Sequence, residues 1–186
     1  MALFPPLEPM LAQAAEYVPG SDVLASGLAA AEQKFDGYLA ILFTPAGSDG
    51  RLLLQTRRGS LIQDRFPDLA AAAGQLPDGL VLDGEVVVWD TAEGRLSFEA
   101  LQRRAATRGR TATALAVPSP AFCIAFDLLQ AEGITLLNLP YSERRRRLEV
   151  LFAAHALSAP FSSGRPVPAA ELLPSALRAS AGCRPG

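Results

Sequence analysis

The chain has 186 residues, 49 % of them apolar, and a formal charge of −2, enough for one domain with a real core and too balanced for a global pull toward nucleic acid. No run approaches the roughly 18–20 apolar residues of a membrane span, and the start Met1-Ala2-Leu3-Phe4-Pro5-Pro6 lacks a signal peptide's basic, apolar character. Two cysteines, Cys123 and Cys183, and a single His155 give no disulfide framework or histidine-clustered metal site, so the expectation is a reduced, cytoplasmic protein.

Residues 1–30 read as a proline-punctuated lead-in lying extended on the surface. Tyr38 to Thr44 and Arg51 to Thr56 predict a hairpin joined by Pro45-Ala46-Gly47-Ser48-Asp49-Gly50. Pro67 suits the first turn of an alanine-rich helix that Gly74 stops. Leu80 to Trp89 is a long β-prone run interrupted by Asp83-Gly84-Glu85. Ser97 predicts a capped helix through about Arg108, Phe122 to Leu129 a strand, and Ser142 the cap of a last helix with Leu148, Leu151 and Phe152 as its apolar stripe. This order lacks a βαβ cadence and predicts an α+β fold with mainly antiparallel sheet. Three segments follow: the lead-in 1–30, a domain over 31–157, and a Pro-, Ser-, Ala- and Gly-rich tail over 158–186, expected to be disordered.

Lys34 is the one lysine among 17 basic residues. Arginine cannot replace lysine where a neutral amine must act as nucleophile, because its guanidinium stays protonated. A surface lysine is the alternative reading. The motif Lys34-Phe35-Asp36-Gly37 is weak alone, but it has company in a fixed order: Thr56-Arg57-Arg58-Gly59, then Asp83-Gly84-Glu85, then Phe126-Asp127-Leu128-Leu129.

Taken together, over roughly residues 5–155, the chain resembles the ATP-dependent DNA ligases of the covalent nucleotidyltransferase superfamily, which also holds mRNA capping enzymes and RNA ligases. Glu32-Gln33-Lys34-Phe35-Asp36-Gly37-Tyr38 is similar to their nucleotidyl-lysine motif and Leu82 to Trp89 to their third motif. Phe126 to Leu129, followed by Pro140-Tyr141-Ser142-Glu143-Arg144-Arg145, is similar to the segment after it. The resemblance implies that Lys34 attacks the α-phosphorus of ATP and carries AMP to a nick in duplex DNA, with Mg²⁺, in repair or recombination. It implies Glu32 on the adenine amino group, Asp36 on nearby backbone or ribose, and Arg57 on ribose or α-phosphate. It also implies Glu85 on a ribose hydroxyl or the metal and Phe126 stacked on adenine. A strand-end Glu32, a tight turn at Asp36-Gly37, an edge-exposed Glu85 and a core Phe126 are the plainer alternatives.

Two departures stand out. Leu39 occupies the place of an arginine that engages phosphate, where a charge-assisted hydrogen bond is worth about 1.5–3 kcal/mol. No lysine follows Lys34, so the Lys-x-Lys-type motif is missing, as are the Glu-Gly motif and the C-terminal OB-fold. The expectation is a truncated adenylation domain of compromised activity, or a non-enzymatic remnant with weak ATP or DNA binding. Arg103, Arg104, Arg108 and Arg110 are one candidate DNA patch. Arg144 to Arg147, beside Glu143 and Glu149, read as a solvated, partly paired helix face.

Overall fold

Alternating apolar residues in three long segments build the centre of the molecule. In the computed structural model, which describes residues 2–10, 35–44 and 51–164, these are β1 (Tyr38–Phe43), β3 (Val81–Asp90) and β5 (Ala121–Ala131). With β2 (Leu53–Thr56) and β6 (Ile134–Thr135) they run in the order β2-β1-β3-β5-β6, every neighbour antiparallel. Short β4 (Arg95–Leu96) pairs with β3, and β7 (Phe161–Ser162) adds a parallel pairing, on β5. This is the expected α+β, mainly antiparallel architecture.

Among the described residues, four α-helices accompany the sheet: α1 (Pro67–Ala72), α2 (Phe98–Ala105), α3 (Gly109–Leu115) and α4 (Tyr141–Ala154). Residues two apart on a strand share a face. On one face Leu42, Leu82, Val86, Val88, Cys123 and Leu128 form the main core with Leu69 of α1, Leu101 of α2, and Leu148 and Phe152 of α4.

Ser97 caps α2 as expected, its hydroxyl accepting the Ala100 N–H at 3.2 Å. The helix stops at Ala105 rather than Arg108. Gly109 then adopts a φ of +58°, a conformation only glycine adopts cheaply, at the first residue of α3. Ser142 does not cap α4. Pro140 precedes the first helical residue, Tyr141, so Ser142 falls inside the first turn.

The two ends of the described domain are both tied to the sheet. Residues 2–10 are tied into the sheet: Leu3 and Leu7 pack beside Ile41, Phe43, Val81 and Leu129. Three buried side chains grip their backbone, Gln130 on the Leu3 N–H, Gln55 on the Leu7 N–H and C=O, and Asp83 on the Met10 N–H. At the other end Phe161 is buried and paired in β7, so residues 158–164, grouped with the tail by composition, complete the sheet. Residues 11–34, the 45–50 connection and 165–186 lie outside the described residues.

Candidate active site

On the face of the sheet opposite the main core, β3 presents Val81, Asp83, Glu85, Val87 and Trp89 in strict alternation. Val81 belongs to the apolar cluster under residues 2–10. Val87 and Trp89 belong to a second cluster with Phe122 and Ile124 of β5. Asp83 and Glu85 therefore stand in the gap between two apolar clusters, 4 % and 7 % exposed. Burial, against the Met10 N–H and with nearby Asp127 adding to it, pushes the Asp83 carboxyl up to about 6.

The segment after the motif lysine is fastened to this face at two points. The Phe35 ring packs on the Val87–Trp89–Phe122–Ile124 cluster, as does Phe126. The Gly37 N–H donates to Glu85 Oε1 at 2.8 Å. A Cβ at Gly37 would lie 2.5 Å from the Val86 carbonyl oxygen and 2.7 Å from Glu85 Cγ, so glycine is required for this close approach. Glu85 is thus buried and hydrogen-bonded, not at an exposed strand edge.

Leu39 faces Glu85 directly across the β1–β3 ladder. Phe126 lies at a bulge: Ala125 pairs with Gly84 and Asp127 with Asp83, leaving Phe126 without a partner on β3. Bulges re-aim side chains and recur beside active sites. The Phe126 ring is partly buried against its cluster rather than enclosed in the core. Asp36 is exposed and Arg57 sits exposed in the turn after β2. Lys34 and Glu32 fall outside the described residues. The structure thus gathers Glu85, Phe126 and the Phe35–Gly37 segment on one face and leaves Arg57 exposed in the turn after β2.

The arginine readings need two corrections. Arg104 is fully buried: its guanidinium forms two bonds to Asp68, at 2.8 and 2.6 Å, a third to the Ser119 carbonyl, and stacks over Phe66. It is a core residue, out of reach of DNA, whereas Arg103, Arg108 and Arg110 are exposed. On α4, Arg146 and Arg147 pair with Glu143 at the surface as expected. Arg144, however, turns inward and clasps buried Asp127 through three contacts of 2.6–3.1 Å. Arg145 also turns inward, donating to the Phe126 carbonyl at 3.1 Å. A signal existed in both cases: Arg104 is three residues beyond Leu101, and Arg144 four before Leu148, the spacings that share a helix face.

Sequence reasoning also missed a cleft of about 400 Å³ on the helical side of β1 and β2, lined by Tyr38, Thr56, Arg58, Ser60, Arg65 and Gln102. It lies beside the turn that carries Arg57, not over Glu85. Among the described residues Asp, Glu, His and Cys form no group of three that could hold a metal.

The chain belongs to the ATP-dependent DNA ligase domain family, whose profile matches residues 9–173. Over 154 residues it is 36 % identical to DNA ligase C2 of Mycolicibacterium smegmatis, covering 82 % of this chain and 40 % of that protein. Over 150 residues it is 35 % identical to DNA ligase C of Mycobacterium tuberculosis, covering 80 % of this chain and 38 % of that one. A solved mycobacterial DNA ligase D, complexed with ATP and MES, superposes with a TM-score of 0.53 at 35 % identity, covering 68 % of this chain and 37 % of the other. The chain therefore spans about 40 % of the length of these relatives.

Proposed function

We propose that this chain is the nucleotide-binding part of an ATP-dependent DNA ligase and that Lys34 becomes covalently adenylylated. The neutral Lys34 amine attacks the α-phosphorus, an N–P bond forms, the bond to the bridging oxygen breaks and pyrophosphate leaves. The amine proton is lost to solvent and AMP stays as a phosphoramidate. In the whole ligase AMP then passes to a DNA 5′-phosphate, and a neighbouring 3′-hydroxyl displaces it to seal the nick.

The observation that carries this reading is the double fastening of the residues after Lys34, Phe35 on the cluster shared with Phe126 and the Gly37 N–H on Glu85. It holds the residues that directly follow the one lysine of the chain on a face bearing buried carboxylates and an aromatic ring. Phe126 supplies a stacking surface for adenine. Glu32 would meet the adenine amino group, Asp36 backbone or ribose, and Arg57 ribose or α-phosphate through its bidentate fork. Glu85 fits a ribose hydroxyl or Mg²⁺, because Mg²⁺ is commonly held by one or two carboxylates together with substrate phosphates. When bound, that cation would neutralise charge developing on the phosphate oxygens.

Nicked duplex DNA is the proposed macromolecular partner. The cleft of Thr56, Arg58, Ser60, Arg65 and Gln102 joins two guanidinium groups to two hydroxyls and an amide, a donor set suited to backbone phosphate. Phe98, 42 % exposed, stacks edge-on with Tyr38 at its margin. No described helix is long and apolar enough to cross a membrane.

The test is incubation with ATP labelled at the α-phosphate and Mg²⁺, followed by denaturing electrophoresis. Label retained by the wild-type chain and abolished in Lys34→Ala is the expected result. No label at any protein concentration would overturn the covalent reading and leave the nucleotide- or DNA-binding remnant.

A further inference from the structure

On the reading of this face as an adenine-nucleotide site, we infer that Arg145 is a positioning residue: its grip on the Phe126 carbonyl fixes the bulge that aims the Phe126 ring at the base. A bulge takes one residue out of the ladder, and its buried carbonyl must find another donor. Here α4 provides it. Arg145 Nη1 donates to the carbonyls of Phe126 at 3.1 Å and Ala125 at 3.5 Å, and Nη2 to that of Ser163 at 2.5 Å. The Tyr141 hydroxyl adds a long bond to the same Phe126 oxygen at 3.4 Å.

The choice of side chain matters. A guanidinium presents several donors in a fixed fork, so one arginine bridges the bulge on β5 and the segment after β7. An ammonium is a point donor and cannot hold both at once. The segment after β7 closes the far side. Gly164, at a φ of +65°, comes so near that a Cβ there would lie 3.2 Å from both Phe126 Cδ1 and Arg145 Nη1. The ring is therefore bounded by Gly164 and by its apolar cluster, while its backbone is held by Arg145. Glu149 pairs with the guanidinium from the helix side, at 3.5 Å.

A role in merely tying α4 to the sheet predicts a different outcome, because it would not single out the base. The experiment measures equilibrium binding of ATP and of inorganic tripolyphosphate to the full chain, with thermal midpoints taken alongside. Arg145→Ala is expected to weaken ATP by about three- to tenfold, the scale of one aromatic contact, and to leave tripolyphosphate unchanged. Phe126→Leu should weaken ATP similarly, and the double variant should be no weaker than Phe126→Leu alone, since the two act through one contact. Where Arg145→Ala fails to fold, Arg145→Lys serves in the same comparison. Unchanged ATP affinity, equal loss for both ligands, or full additivity with Phe126→Leu would overturn the inference. A wild-type chain that binds neither ligand would instead overturn the nucleotide-site reading on which it rests.

Discussion

At position 39 one side chain separates this chain from the motif it otherwise follows. Leu39 lies opposite Glu85 in the β1–β3 register, so its side chain shares the face that carries Glu85 and Phe126. An arginine there would stand beside the proposed phosphate path, with Glu85 near enough to orient it. Leu39→Arg is expected to raise covalent labelling from ATP by about ten- to a hundredfold, the worth of one charge-assisted bond; labelling that does not rise would clear Leu39 of blame. Asp83 supports a second prediction. Its folded-state value of about 6 stands above its ordinary 3.8 because burial disfavours the charged form. Between roughly pH 4 and 6 the folded chain thus holds a proton that the unfolded chain has lost, and stability falls as pH rises through that window. Above it the ionised carboxylate is a standing cost of at most about 3 kcal/mol. Asp83→Asn keeps an oxygen for the Met10 N–H and removes the charge. Its advantage over wild type in urea unfolding, measured with a chelator present, should grow from pH 4 to 6 and then level off. A constant difference would refute the assignment.

Among the elements, β3 and β5 carry Glu85 and Phe126 of the proposed site; they pair antiparallel with a register shift between Asp83 and Gly84. Gly84 is what allows them to approach there: a Cβ would come 2.2 Å from the Ile124 carbonyl oxygen and 3.0 Å from Ala125 Cα. Gly84→Ala should therefore cost at least about 1–3 kcal/mol, the usual scale of overpacking, with a matching drop in the urea midpoint; wild-type stability would show that the strands can part at no cost. The motif Asp83-Gly84-Glu85 is then legible as two functions at once, alternate carboxylates on one face and a glycine on the other against β5. The bulge at Phe126 was not legible, because nothing in a continuous apolar run marks which residue leaves the ladder. Helix ends were half legible. Ser97 announced its cap, whereas the break before α3 depends on Gly109 adopting a left-handed conformation, which arginine-rich flanks conceal.

Across the whole molecule, the described residues form one sheet with helices packed on one face and the site on the other. Its two described ends both join the sheet. Residues 2–10 are held by Gln55, Asp83 and Gln130, and Phe161 and Gly164 close the sheet beside Phe126. The sequence by itself determined the α+β class, the order of β1, β2, β3 and β5 with α1, α2 and α4, and the family, because alternation, turn residues and short motifs are local signals; it missed α3 and the two-residue strands β4, β6 and β7. It also singled out Lys34, since a lone amine among guanidinium groups is a compositional fact. Only the tertiary structure decided which arginines face inward and which groups share a face. A guanidinium becomes a core residue when distant Asp68 or Asp127 meets it in a buried place. No pattern of neighbours along the chain can announce a partner that folding brings from 36 or 17 residues away.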